Sequence, residues 1–461
     1  MDENKGSQAT VENILKVRDD HRPLHFTEDG GSFRLKEGAQ ASWLSGESFD
    51  YKELRNRIEP WLTSLFQSEH LSLLAGSGLT HAVHYLAADK GAAGMEPITF
   101  TDYQSEIDAA AKKTSEDAGR KEGNLEDQLR VANELLRGLE ILKSGTLAQT
   151  LRNELENGMQ NFAESILRSE AGIATAEESK REEAFNTLVT FLMSFASRTG
   201  GRDRLNIFTT NYDRLIEAGA ELAGLHLLDR FLGNLMPIFR SSRLDLDMHY
   251  NPPGIRGEPR YLEGVARYTK LHGSVDWVQT GKDIRRIGLP FGATKISPYL
   301  QAPGMGDATA NKLMIYPNAA KDRETAAYPY VELFRDLAAA ICRPNSTLVT
   351  YGYSFGDDHI NRVIRDMLTI PSTHLVVISY DDPLDRIMKT YWELGRHSQV
   401  SLLVGPALAD LSTLTEHFLP KSAIDKTTFR MSELLKQRWG TQQAEEKTDG
   451  EGKVAPEGGE A

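Results

Sequence analysis

The chain has 461 residues, 40% of them apolar and 26% charged, an ordinary globular composition at a length that calls for one large α/β domain with an insertion, or for two domains. Its formal net charge of −13 excludes broad, sequence-independent binding to DNA or RNA, which needs a basic surface to neutralise phosphates. The single cysteine, Cys342, excludes an intrachain disulfide framework and a four-cysteine zinc ribbon within the chain, and fits a reducing cytoplasm.

The opening, MDENKGSQATVENILK, is polar and acidic where a secretory signal needs a basic start and an apolar core. No apolar run is long enough to span a bilayer, so a cytoplasmic location without membrane insertion is expected. Residues 1–69 read as an N-terminal segment, loose at its start, in which IEPWLTSLF suits a docking helix. LSLLAGSGLTHAVHYLAADKG follows, an apolar run that ends in Gly76, Ser77 and Gly78 and opens a helix-compatible stretch: a strand, a tight glycine turn and a helix.

Residues 102–198 change to helical periodicity. One stripe holds Leu125, Leu129, Ala132, Leu136 and Leu139, a second Leu147, Leu151, Leu155, Phe162 and Ile166, a third Phe185, Leu188, Leu192 and Phe195. Narrow apolar stripes with charged flanks predict amphipathic helices packed on one another or on a partner subunit, and the segment reads as a helical insertion. After it, strand and helix alternate again: LNIFTT and DRLIEAGAELAG, NSTLVTYGYS and DDHINRVIRDML, THLVVISYD and PLDRIMKTYWELG, SLLVG and ALADLSTLTEHFL. Short runs of Val, Ile and Leu between helices predict a parallel sheet covered on both faces. The expected fold is a doubly wound, Rossmann-like α/β domain over 70–101 and 199–440, interrupted by the insertion. Residues 441–461, rich in Gly, Glu and Lys, have almost nothing to bury and read as a disordered tail.

Ligands of such sheets sit at the carboxyl ends of the strands, and the unusual residues fall there. Gly76, Ser77, Gly78, Leu79 and Thr80 join a strand to a helix, so backbone N–H groups and the helix dipole can face a pyrophosphate. The full GxGxxG spacing is missing, and a tight turn alone also accounts for them. The next strand ends in Thr209, Thr210, Asn211, Tyr212 and Asp213, and Lys270, Leu271, His272, Gly273 and Ser274 follow later. Taken singly, Asp213, Asp357 and Asp358 suit helix N-caps, Asn211 a turn, and His272 a buried strand end. His81 and His84 have no carboxylate or cysteine cluster beside them and read as helix surface or pocket lining, not as metal ligands. Lys321, in IYPNAAK, reads as a solvated loop lysine, and Phe334, Leu337 and Ile341 as a core helix face.

In their order, GSGLT, TTNYD, KLHGS and YGYSFGDDHIN resemble the motifs of sirtuin-like domains, in particular the bacterial branch that lacks the zinc module and is associated with NAD hydrolysis in antiphage defence. The resemblance implies that Asn211 and His272 are the catalytic pair, supported by Asp213. It implies that the turn from Gly76 to Thr80, with Thr210, holds the phosphates of NAD, and that Gly352, Ser354 and Asp381 lie near the ribose and adenine. NAD is then the substrate, and no zinc or other metal is expected. The residue types suit the chemistry: nicotinamide leaves as a neutral base and needs no general acid, unlike the leaving oxygen of a glycoside. A histidine can polarise a ribose hydroxyl or take a proton from water, an amide can hold a water or hydroxyl, and a carboxylate can stabilise a developing cation.

The expected function is therefore NAD glycohydrolase, an effector acting by NAD depletion. A non-catalytic NAD or ADP-ribose sensor within an ATPase-containing complex, and an NAD-dependent protein deacylase, stand as alternatives. Deacylation ranks last because the four-cysteine module that frames a peptide cleft cannot form. The resemblance also implies restraint by assembly, either as a homo-oligomer or with a hexameric translocase ATPase of the HerA type, with the helical insertion as the expected docking surface.

Overall fold

The computed structural model describes residues 12–44, 46, 48–92, 96–117, 125–197, 203–241, 247–250, 260–306, 308–315 and 328–421. The expected tail at 441–461, the loose first ten residues and Lys321 lie outside the described residues. Packing divides the chain into Met1–Pro420 and Lys421–Ala461, and every element named below belongs to the first unit.

The predicted doubly wound α/β fold is present. Its centre is a row of parallel strands in the spatial order Val400–Val404, His374–Ser379, Ser346–Tyr351, His70–Ala75, Leu205–Thr209, Val265–Lys270 and His226–Leu228. Nearly every residue of these inner strands is buried, which is why they read as continuous apolar runs rather than as alternating ones. The parallel row starts at His70–Ala75, extends to one side through Leu205–Thr209, and is continued on the other when the chain returns at Ser346–Tyr351. Strand order thus reverses between His70–Ala75 and Ser346–Tyr351, the switch point beyond whose carboxyl ends sheets of this kind form their ligand crevice.

Two parts of the fold differ from expectation. The N-terminal segment is part of the sheet: Glu12–Lys16 pairs antiparallel with Val400–Val404, and Leu24–Asp29, Ser32–Leu35 and Ser48–Phe49 continue outward to make an 11-stranded mixed sheet. The expected docking helix is Tyr51–Phe66. Its Asp50 and Glu53 form a capping box, and Leu54, Ile58, Leu62 and Phe66 enter the core. Beyond the crevice a second, five-stranded antiparallel sheet runs Leu313–Ile315, Gly273–Thr280, Asp283–Arg286, Ile238–Phe239, Phe231–Leu232. Several of its strands are only two or three residues long, too short to leave a periodic signal.

The insertion forms Gln104–Asp117, Leu125–Ile141, Gly145–Ala174 and Glu178–Ala196. Of the two expected uses of its apolar stripes, packing within the chain takes up most of the large side chains. Leu125, Leu129, Ala132, Leu139, Leu151, Leu155 and Phe162 are buried in one core of the chain, and Leu188, Phe191, Leu192 and Phe195 in another. Its large apolar side chains that remain exposed among the described residues are Ile141, Leu142 and Leu147, around one interhelical turn. Among the described residues no helix is long and apolar enough to cross a membrane.

At the strand-order reversal, backbone meets backbone. A Cβ on Gly76 would lie 2.3 Å from the Gly352 carbonyl oxygen, and one on Gly78 would lie 2.6 Å from the Gly352 Cα. Gly352 itself has φ +60°, a left-handed conformation that favours glycine. Gly352→Ala is therefore expected to destabilise by more than about 2 kcal/mol, whereas Gly138→Ala, with open space around it inside a helix, should stabilise by about 0.5–1 kcal/mol. Urea unfolding of the two variants checks the contrast.

His374 begins its strand with Nε2 2.8 Å from Ser401 Oγ and Trp61 edge-on to its ring. Burial, aided by nearby Lys16, pushes its imidazole down to about 4. The native state holds it neutral while the unfolded chain protonates it near pH 6.5. Its contribution is complete above that pH and is lost as pH falls toward 4, with a slope of up to about 1.4 kcal/mol per pH unit. His374→Gln should flatten stability between pH 6.5 and 4; an unchanged slope in urea titrations would contradict this assignment.

Candidate active site

Strand register brings the predicted residues to one edge. Ala75 pairs with Thr209 and with Tyr351, and Thr209 pairs with Lys270. These residues end neighbouring strands level with one another, strands lying about 4.8 Å apart. Gly76, Thr210, Leu271 and Gly352 stand one step beyond them, and Asn211 and His272 one step further on adjacent strands.

Asn211 is 8% exposed and tightly held. Its N–H donates to Thr209 Oγ1 at 3.0 Å, and its Nδ2 donates to the Gly76 carbonyl and to Thr80 Oγ1, each at 2.9 Å. A backbone carbonyl only accepts, so the amide orientation is determined. Among the described residues Oδ1 has no hydrogen-bond partner, and it is the atom Asn211 offers to a ligand. The Thr80 hydroxyl donates onward to Asp213 Oδ2 at 2.6 Å, while Asp213 Oδ1 accepts the Leu215 N–H at 3.0 Å. Asp213 thus holds the first N–H of the helix Leu215–Leu222 from just before its N-cap, Arg214, and supports Asn211, which it reaches through Thr80.

His272 leaves the end of Val265–Lys270 just before Gly273, whose φ of +87° and close approach to the Met314 carbonyl leave no room for a Cβ. Its Nε2 lies 2.7 Å from Asp357 Oδ2, the side chains being 15% and 5% exposed. Asp357 also caps its helix, Oδ1 accepting the His359 N–H at 3.1 Å. Sequence reasoning weighed Asp357 singly and did not join it to His272. The available signal was the acidic pair inside YGYSFGDDHIN, but nothing in the chain order tells which histidine it meets. The Tyr212 ring lies 6.4 Å from the His272 ring and edge-on to Phe162 of the insertion. Burial, then the Glu126, Tyr330 and Asp357 side chains, push the Tyr212 phenol well above its usual range, so it is a neutral wall of the site.

Beneath these residues lie buried ion pairs. Lys270 donates to the Asp213 carbonyl and, at 3.1 Å, to Glu217 Oε1, whose other oxygen accepts the Tyr268 hydroxyl at 2.9 Å. Burial raises the Glu217 carboxyl against the pull of Lys270. Arg214, next to Asp213, is bound by Glu170 of the insertion through its backbone N–H at 2.7 Å and through its guanidinium, which also reaches the carbonyls of Leu289 and Pro290. The insertion is therefore fastened to the loop that carries Asn211.

The glycine turn is also a packing contact. Its N–H groups were expected to face a pyrophosphate, but those of Gly76, Gly78 and Leu79 donate to the carbonyls of Tyr351, Gly352 and Gly76 at 2.9, 3.1 and 3.1 Å. Leu79 is fully buried in the core, and Ser77 is the exposed residue of the turn, at a helix start with no side-chain cap. The Thr210 N–H bonds the Ala75 carbonyl at 3.2 Å. Gly352, the half-buried Ser354 and the exposed Asp381 follow the next two strands, and the Ser379 hydroxyl donates to the Asp381 carbonyl at 2.8 Å. His84 is packed inside, its Nδ1 donating to the Lys90 carbonyl at 2.8 Å, while His81 is exposed. Among the described residues no group of His, Cys, Asp and Glu gathers as a metal site.

Residues 205–399 match the family model of the SIR2-like domain. The match supports the sirtuin-like resemblance over the strands that carry Asn211, His272 and Asp357; the glycine turn lies before it. No curated protein matches the chain. The buried supports of the site are open to a structural test. Thr80→Val keeps the shape but strands a carboxylate oxygen of Asp213 and a donor of Asn211, and should cost about 1–3 kcal/mol. Glu170→Ala leaves Arg214 buried without its carboxylate and should cost about 3–5 kcal/mol. Thermal and urea unfolding read both.

Proposed function

We propose that this protein is an NAD glycohydrolase. Water adds to C1′ of the nicotinamide ribose as the bond to the pyridinium nitrogen breaks; nicotinamide departs as a neutral base, and ADP-ribose and a proton are released. The observation that carries the reading is the placement of Asn211 and His272 each two residues beyond the paired ends, Thr209 and Lys270, of adjacent strands, beside the switch point where sheets of this kind bind nucleotides. The SIR2-like match points to NAD-related activity in general.

In this mechanism Asn211 Oδ1 accepts from the attacking water or a ribose hydroxyl and holds it in line. His272 takes the proton. Asp213 acts through Thr80 to keep Asn211 in place, and its charge lies on the side where the ribose cation develops. Ser77, Thr210, Gly352, Ser354 and Asp381 supply the edge along which the pyrophosphate and adenosine lie. A peptide is not required, because the chain's single cysteine cannot build the zinc module that frames a peptide cleft.

The same resemblance supports an antiphage-defence role by depletion of the cytoplasmic NAD pool, with restraint by assembly into homo-oligomers or with a hexameric HerA-type ATPase. The exposed Ile141, Leu142 and Leu147 are the insertion's candidate contact. Light scattering coupled to size exclusion should find an assembly larger than one chain; a monomer with and without the ATPase removes this part.

Purified protein incubated with NAD and no peptide should yield nicotinamide and ADP-ribose. His272→Ala and Asn211→Ala should each lower kcat by about 10²-fold or more while remaining folded. Turnover at the wild-type rate in either folded variant defeats the site assignment. Binding of NAD without cleavage, in every assembly state, would make the chain a sensor.

A further inference from the structure

We propose that Asp357 is a positioning residue of this site: it holds the hydrogen of His272 on Nε2 and so presents Nδ1 as the proton acceptor. A carboxylate only accepts, so at 2.7 Å from Asp357 Oδ2 the Nε2 atom carries the hydrogen, and in a neutral ring the lone pair is on Nδ1. The kinetic consequence rests on the NAD hydrolase reading; the tautomer does not.

The loop that delivers Asp357 is built to hold it. Phe355 is buried with φ +54°, a conformation that persists in a bulky residue only where its surroundings impose it. Asn361 Nδ2 donates to the Phe355 carbonyl at 2.9 Å, and the Tyr353 hydroxyl lies 3.1 Å from Asn361 Oδ1 and 3.2 Å from the Asp357 carbonyl. The helix Asp358–Leu368 begins at this point, and its positive end favours the carboxylate. Tyr353, Phe355, Asp357 and Asn361 all belong to YGYSFGDDHIN, so the motif has a purpose on the far side of the crevice from His272: it brings an acceptor to the imidazole.

Asp357 has two tasks, one on each oxygen, and asparagine separates them. To keep the cap, the oxygen of Asp357→Asn must face the His359 N–H, which turns its NH₂ toward His272 and requires Nε2 to accept. The hydrogen then moves to Nδ1, removing the base, while the helix keeps a good N-cap.

The test uses full-length protein labelled with ¹⁵N-histidine, His272 being identified by its absence from spectra of His272→Ala. Wild-type protein should show a protonated Nε2, and Asp357→Asn a protonated Nδ1, with melting temperatures within about 4 °C. In the NAD assay kcat of Asp357→Asn should fall by about 10²- to 10⁴-fold, with KM changed less than about threefold. Asp357→Ala should lose stability as well as turnover. An unchanged tautomer in Asp357→Asn overturns the proposal, as does wild-type turnover in that variant. If wild-type protein shows the expected tautomer but never cleaves NAD, the hydrolase reading fails while the positioning role stands.

Discussion

The candidate site depends on one close approach of backbone to backbone. Where strand order reverses, the turn after His70–Ala75 lies against the turn after Ser346–Tyr351, and Gly76, Gly78 and Gly352 leave no space between them for a side chain. The Gly76 and Gly78 N–H groups cross that contact to the carbonyls of Tyr351 and Gly352. The crevice is therefore bounded by main chain, which cannot change rotamer, and the Gly76 carbonyl is available to hold Asn211. A glycine turn that reads as a phosphate cradle in the sequence is, in the fold, first a packing device.

From that contact a chain of polar pairs is built. Gly76 holds Asn211, Thr80 joins Asn211 to Asp213, and Lys270 secures the Asp213 carbonyl. Burying so many polar groups is costly unless each is paired, and here the pairing also sets direction. Asn211 is left with its amide oxygen, and His272 is turned by a carboxylate from across the crevice. For the proposed attack by water at a carbon centre, two acceptors held in this way would leave little to reorganise at the moment of reaction.

The insertion is part of the same construction. Phe162 packs on Tyr212, Glu170 binds Arg214, and Glu126 faces the Tyr212 phenol, so helices inserted far from the sheet strands in the chain form one wall of the site. Their apolar stripes are largely used within the chain.

The sequence by itself determined the doubly wound sheet, the helical nature of 102–198, and the strand-end positions of Asn211, Asp213 and His272. Apolar runs bounded by glycine turns are local signals, and a strand's end is visible where its apolar run stops. Tertiary structure alone decided three other things. Many strands of 12–49 and of the five-stranded sheet were hidden because they are only two to four residues long and carry little periodicity. The use of the glycine N–H groups depended on Gly352, which lies far along the chain. The partnership of His272 with Asp357 and of Arg214 with Glu170 depended on which loops the strand order places side by side. Residue types and local pattern are written in the chain, but hydrogen-bond partners between distant segments are fixed only when strand order and register bring them within about 3 Å.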